Sequence, residues 1–253
     1  MRHEEFFQQI EHVEVPWGSK TIFFPVFYYD VATLSVQLLA PITKIKPLLP
    51  SSRLHPLRIT PWHCVVSISA LEYRDSDIGP YNEVSIGIPV MLDEPSPVFV
   101  GTFRQVPAVP KMYIHHLPVT TEIAYASGVE LAGYPKFLAE ITFERDGEWV
   151  KCHLNEAGQH ILTLTARTGV LSPTPRSRLH PITVRQGHLL RSELVVSERN
   201  QSTGRGSGGF QLELGEHPIA QELKEWELGK VLAYQFAPHH QAILTPVIES
   251  FAV

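Results

Sequence analysis

Twenty-one prolines, spread almost evenly through 253 residues, cut this chain into short pieces and leave little room for long helices. Inside a helix, proline removes a backbone donor and its ring clashes with the preceding turn, so a chain punctuated this way favours strands and turns. Many of the pieces alternate apolar and polar residues and are rich in β-branched and aromatic types, the period-two pattern of a half-buried strand. These pieces are residues 21–29, 63–73, 83–92, 98–103, 112–119, 137–144, 149–154 and 160–167. Further along come 183–197, 209–214, 230–236 and 241–251. About a dozen short strands predict a mainly β fold, a barrel or a sandwich, with few short helices.

The clearest helix is expected over 217–228, where Pro218 suits the first helical position and Gly229 the stop. Its Ile219, Leu223 and Trp226 share one face. Short helical turns are expected at 41–49 and at 120–131, the second ending on Gly133 and delivering Lys136 just beyond it. No internal repeat or composition shift divides the chain, so residues 1–253 read as one domain. The polar stretch 197–209 reads as a mobile loop.

Composition excludes several classes. Net charge is −5 with both signs interspersed, and no basic stripe suggests a nucleic-acid partner. Two distant cysteines, Cys64 and Cys152, give neither a disulfide scaffold nor a thiolate metal site. Without an apolar run of 18 residues or a signal-like N-terminus, the expectation is a cytoplasmic protein away from the membrane.

Gly204-Arg-Gly-Ser-Gly-Gly209 matches the dinucleotide fingerprint GxGxxG in letters only. That motif needs a strand before it and a helix after it, whereas strand-like Phe210-Gln-Leu-Glu-Leu follows here. Thirteen histidines include the adjacent pairs His115-His116 and His239-His240. Neighbours on a strand point to opposite faces, so neither pair is expected to build a metal shell, and no HExxH helix or Gly-x-Ser-x-Gly elbow is present.

Chemistry enters with one lysine. Of eight lysines, only Lys136 sits in an apolar, small-residue segment without a carboxylate close by in sequence, between Tyr134 and Phe137. Such a lysine either snorkels to the surface or is buried. Burial disfavours the ammonium, and a neutral amine attacks carbonyl carbon. Upstream, Val84, Ile86, Ile88 and Val90 alternate, so Glu83 and Ser85 occupy the opposite face, toward solvent or a cavity.

Taken together, these two segments resemble a known family. Gly128-Val-Glu-Leu-Ala-Gly-Tyr-Pro-Lys136 resembles the active-site segment of the acetoacetate decarboxylase family, Gly-x-Glu-Leu-x-x-Tyr-Pro-Lys. Tyr81-Asn-Glu83 followed by Ile88-Pro89-Val90 resembles its Tyr-x-Glu segment, and Leu48-Leu-Pro50 and the C-terminal helix with two strands follow in order. The likeness is free of gaps from Tyr113 to Lys136 and includes Glu122, Gly128 and Glu130. It implies a cone-shaped, β-rich barrel, a homo-oligomer, and imine chemistry on a keto acid without metal or organic cofactor. Lys136 maps onto the imine-forming lysine and Glu83 onto an active-site carboxylate, with Tyr81, Tyr134 and Phe137 around the substrate. Acetoacetate decarboxylase is itself a standard illustration of a lysine activated by desolvation or a neighbouring cation.

Three parts of the family pattern are missing. Phe137 stands where a second lysine follows the nucleophile, no arginine occurs near 29–31, and no carboxylate occurs at 67–69. Arg104 and His115 are the expected substitutes for the arginine that would bind a substrate carboxylate. Three functions follow: decarboxylation of a β-keto acid such as acetoacetate, aldol or dehydration chemistry on another keto acid through the same imine, or non-catalytic binding of a small molecule on the same fold.

Overall fold

The computed structural model describes residues 4–17, 20–95 and 111–253, so the expected strand 98–103 and Arg104 lie outside the described residues. Strands β1 (Val13–Trp17) and β2 (Lys20–Phe24) form a separate hairpin. The main wall begins with β3 (Val26–Pro41), followed by the helical turn α1 (Ile42–Ile45), β4 (Leu54–Pro56), β5 (His63–Ser76), β6 (Tyr81–Leu92) and β7 (Lys111–His116). Helix α2 (Glu122–Ala132) leads into β8 (Glu140–Asp146), β9 (Trp149–Glu156) and β10 (Gln159–Arg167). Seven short strands come next: β11 (Ser172–Thr174), β12 (Ser177–Leu179), β13 (Pro181–Arg185), β14 (His188–Arg191), β15 (Leu194–Val196), β16 (Arg199–Gly204) and β17 (Phe210–Leu214). Helix α3 (Pro218–Glu225), β18 (Val231–Leu244) and β19 (Glu249–Ala252) complete the chain.

The fold is mainly β, as expected, and its pairings run in a circuit. β18, β3, β5, β6 and β7 are successive antiparallel neighbours, and β7 pairs in parallel with β13. β12, directly before β13 in the chain, pairs with β15, which returns to β18. The circuit closes through His180, whose carbonyl accepts from the Met112 amide. A sheet wrapped on itself in this way encloses an interior lined by every second residue of each strand.

The alternation of β3 shows which face lies inside. Ala32, Leu34, Val36, Leu38 and Ala40 are buried in the main core, while Thr33, Ser35 and Gln37 line the interior cavity. On β3, polar residues therefore face inward and apolar residues outward, under a cover made by the sheet β17-β10-β9-β8 and helix α3. Ile161, Leu162, Leu164, Leu223 and Trp226 of that cover are buried against the wall. Each such aliphatic side chain stabilises the fold by roughly 1.5–3 kcal/mol.

Two expectations need correction. The segment 183–197 is three strands rather than one, because Gly187 adopts a positive φ of 76° in a turn and a second break follows β14. The stretch 197–209 contains β16, paired to β11 and β18, and is not a loop. Its glycines serve packing: a Cβ on Gly204 or Gly209 would meet the Tyr234 ring or hydroxyl at 2.0 Å. Among the described residues no helix is long and apolar enough to cross a membrane.

Candidate active site

Lys136 reaches the interior because of how α2 ends. Gly133 takes the left-handed conformation (φ 63°), and its amide donates to the Val129 carbonyl while that of Tyr134 donates to Gly128. This is the paired closure of a glycine-terminated helix. The chain then runs extended beside residues 117–119: the Leu117 amide donates to Pro135, that of Val119 to Phe137, and that of Ala139 to Val119. Val119 also bridges Glu83 on β6, so one residue brings the lysine segment and the glutamate strand together.

The result is an ion pair. Lys136 Nζ lies 3.1 Å from Glu83 Oε2, with the two side chains only 8% and 9% exposed. Lys136 therefore does not snorkel, and it does have a carboxylate neighbour, one that a 53-residue separation hid in the sequence. Gly128 makes room for it, since a Cβ there would lie 2.6 Å from Lys136 Cε and 2.7 Å from Cδ.

Aromatic rings seal the pair. Lys136 Nζ is 5.7 Å from the centroids of both Tyr81 and Tyr134. Tyr73 stacks on Tyr81 at 4.4 Å and donates from its hydroxyl to Glu83 Oε1 at 3.3 Å; Tyr81 donates to Tyr28 at 3.4 Å. Burial first, then the Glu83 charge for Tyr28, Tyr73 and Tyr134 and the neighbouring Tyr28 ahead of Glu83 for Tyr81, pushes these four phenols up. They therefore remain protonated donors at neutral pH.

Lys136, Glu83 and Tyr134 open on a cavity of about 450 Å³. Serines of β5 and β6 (Ser67, Ser69, Ser85), Gln235 and His240 of β18, and Arg199 and Gln201 of β16 line it as well. Burial pulls the His240 imidazole down to about 4, so it is neutral at pH 7. The charged lining groups among the described residues are thus Lys136, Glu83 and Arg199.

Among the described residues, two expected site residues, Phe137 and His115, do not line the cavity. Phe137, next to Lys136 in an extended chain, points the opposite way and packs on the main core. His115 lies outside the cavity wall. Its Nε2 is 2.6 Å from Glu222 Oε1 on α3, and His116 Nε2 is 2.7 Å from Oε2 of the same carboxylate. The expectation that these neighbours diverge fails because Ile86 pairs with His116 and Gly87 with Ile114, leaving His115 as the extra residue of a bulge. Their ring nitrogens and a Glu222 oxygen lie within 4.8 Å of one another, a metal-compatible group in which both Nε2 atoms bond to Glu222 while His115 Nδ1 is buried without a hydrogen-bond partner. Burial would raise the Glu222 carboxyl, but the two imidazoles outweigh it and hold it down to about 2.

The sequence reading missed Tyr28, Tyr73 and Arg199. The two tyrosines sit in alternating strands with nothing local to mark them, and Arg199 lay in the segment taken for a loop.

The match to known proteins rests on this same framework. The model of the family described as Acetoacetate decarboxylase (ADC) matches residues 13–244. The chain belongs to the acetoacetate decarboxylase family. Among solved structures of this fold, it is similar to the acetoacetate decarboxylase of Legionella pneumophila subsp. pneumophila str. Philadelphia 1 (TM-score 0.67, 15% identity, covering 90% of this chain and 87% of that one). It is also similar to the enduracididine biosynthesis enzyme MppR complexed with pyruvate (TM-score 0.63, 13% identity, 89% and 91% covered). A third is an acetoacetate decarboxylase-like enzyme from Sphingomonas wittichii RW1 (TM-score 0.53, 15% identity, 91% and 94% covered). No curated protein sequence matches.

Proposed function

We propose that this member of the acetoacetate decarboxylase family is a carbon–carbon lyase that works through an imine between Lys136 and a small keto acid. The observation that carries this reading is the buried pair of Lys136 and Glu83, 3.1 Å apart, at the wall of the cavity. Glu83 takes the ammonium proton, and the freed amine attacks the substrate carbonyl carbon. Glu83 returns the proton to the hydroxyl as it leaves as water, which gives an iminium. A bond at the neighbouring carbon then breaks, and its electron pair moves into the enamine. If that bond leads to carboxylate, CO2 departs; reprotonation of carbon and addition of water release the ketone and the lysine. The surrounding phenols exclude bulk water and, through Tyr73, orient Glu83.

A second reading keeps the imine but breaks a C–H bond, so that the enamine adds to an aldehyde. One observation favours giving it weight: the related fold of MppR, also solved with the condensation product of pyruvate and imidazole 4-carboxaldehyde. CO2 release from acetoacetate, compared between wild type and Lys136→Ala, tests the reading. A lysine-dependent rate supports decarboxylation. Equal rates in the two proteins overturn it, and lysine-dependent deuterium uptake beside the carbonyl without CO2 release selects the second reaction.

A further inference from the structure

Arg199 is a partly buried cation at the cavity wall, hydrogen-bonded there to neutral side chains, with Glu198 beside it on a second, outer pocket. Its Nε donates to Gln201 Oε1 at 3.1 Å and its Nη1 to Ser177 Oγ at 3.2 Å. No carboxylate of the described residues pairs with it, and burial alone pulls the guanidinium down, with neither Glu83 nor Lys136 acting on it. A guanidinium carries five N–H donors in a fixed fork. Two are used here, which leaves one on Nη1 and both on Nη2 free among these contacts. Holding a charge in a partly buried site without a counter-ion costs free energy, and an anionic ligand would relieve that cost.

Its position on the wall is informative. Glu83 is opposite Leu71, Leu71 opposite Thr33, and Thr33 opposite Ala237, one row across β6, β5, β3 and β18. β16 is the next strand, four steps from β6. Around the other side, β7, the β12–β13 segment and β15 make three steps to the same chain. Arg199 and Glu83 therefore stand on opposite walls. At about 4.8 Å per strand, their strands are roughly 14 Å apart along the shorter, three-step path, and less across the cavity. The space of about 450 Å³ between them is in the range that holds ligands larger than a four-carbon acid.

We infer that Arg199 is the carboxylate-binding residue of the cavity and that, taking Lys136 as the imine former, the substrate is a keto acid whose carboxylate lies several bonds from its carbonyl. A carboxylate held there is not the group that leaves. Loss of CO2 would also discharge the ion pair, so binding on Arg199 stabilises the ground state against that transition state. The bond broken beside the iminium is then C–H. The proton goes to the Glu83 carboxylate and the electron pair into the enamine, which is reprotonated or attacks an aldehyde carbon whose oxygen takes the Glu83 proton.

The probes are 5-oxohexanoate, the neutral 2-hexanone of equal length, and acetoacetate, each trapped with borohydride and mapped by mass spectrometry. A hydrogen bond to a charged group contributes about 1.5–3 kcal/mol. Wild type is therefore expected to label Lys136 with 5-oxohexanoate at least about tenfold better than with 2-hexanone. In Arg199→Gln that preference falls to about unity, and Arg199→Lys, which keeps charge but not the fork, lies between. A preference that survives in Arg199→Gln overturns the assignment, as does an Arg199-dependent preference for acetoacetate over the longer acid. Calorimetric titration of hexanoate, which has no carbonyl, reads the subsite separately. Binding lost in Arg199→Gln and weakened in Arg199→Lys supports it, and binding unchanged in Arg199→Gln or absent from wild type overturns it, whereas failure of every carbonyl probe to label wild-type Lys136 overturns the imine reading.

Discussion

Gly128→Ala separates the chemistry of this site from the stability of its fold. The added Cβ would stand 2.6 Å from Lys136 Cε, 2.7 Å from Cδ and 3.1 Å from Nζ. Ordinary carbon–carbon contact begins near ~3.5 Å, so the lysine stem must retreat by about 1 Å. Its amine then leaves the position it holds against Glu83. Misplacing a reacting group by that much costs on the order of 100-fold in rate. Residue 128 also lies inside α2, where alanine exceeds glycine in helix preference by about 0.8–1 kcal/mol. The expected variant therefore stays folded, the helix gain set against the cost of displacing a buried ion pair, yet is about 100-fold slower in forming a borohydride-trapped adduct. Paired thermal melts and labelling time courses measure both. Wild-type labelling in a folded Gly128→Ala protein would refute the reasoning, as would slow labelling that merely tracks unfolding.

Glu83→Gln removes the proton acceptor while keeping the shape, and imine formation should slow by roughly 10²–10⁴-fold, the usual range for a positioned acid–base group, in stopped-flow or quench trapping. A change under about threefold in that assay would remove Glu83 from the proton path. Glu222→Gln tests the clamp between β7 and α3. Glu222 is held at about 2 in the folded state, below its ordinary 4.5, so its contribution is fully present above pH 4.5 and fades as pH falls through 2. The wild type should therefore melt higher than the variant at pH 7, and the gap should close toward pH 2; a gap independent of pH would contradict the pairing with His115 and His116.

How much of this was legible in the sequence follows from how local each signal was. The strands that alternate cleanly, such as β5 and β6, and the caps at Pro218 and Gly133 are encoded within a few residues. The lysine segment was legible for the same reason, as a continuous motif ending in Lys136. Glu83 as its companion was legible only through the family resemblance, since the pairing depends on Val119 bridging two distant segments. His115 was expected to stand in for the family's missing arginine, but a bulge in β7 sets it beside His116 on Glu222. Arg199 was invisible for a subtler reason. A strand facing a polar interior and lying near the sheet edge lacks the apolar periodicity that marks ordinary strands, so Arg199-Asn-Gln-Ser-Thr-Gly204 reads as a loop. On β3 the arrangement is inverted, with Thr33, Ser35 and Gln37 inside and Leu34, Val36 and Leu38 outside, and such a wall leaves no apolar stripe for the sequence to show.

The central claim is that Lys136 is the residue that bonds covalently to substrate. Incubation with pyruvate or acetoacetate, borohydride reduction and peptide mapping test it most directly. The account predicts a mass adduct of one reduced keto acid on Lys136 and none in Lys136→Ala. No adduct with either acid, or an adduct carried by a different lysine, would contradict it.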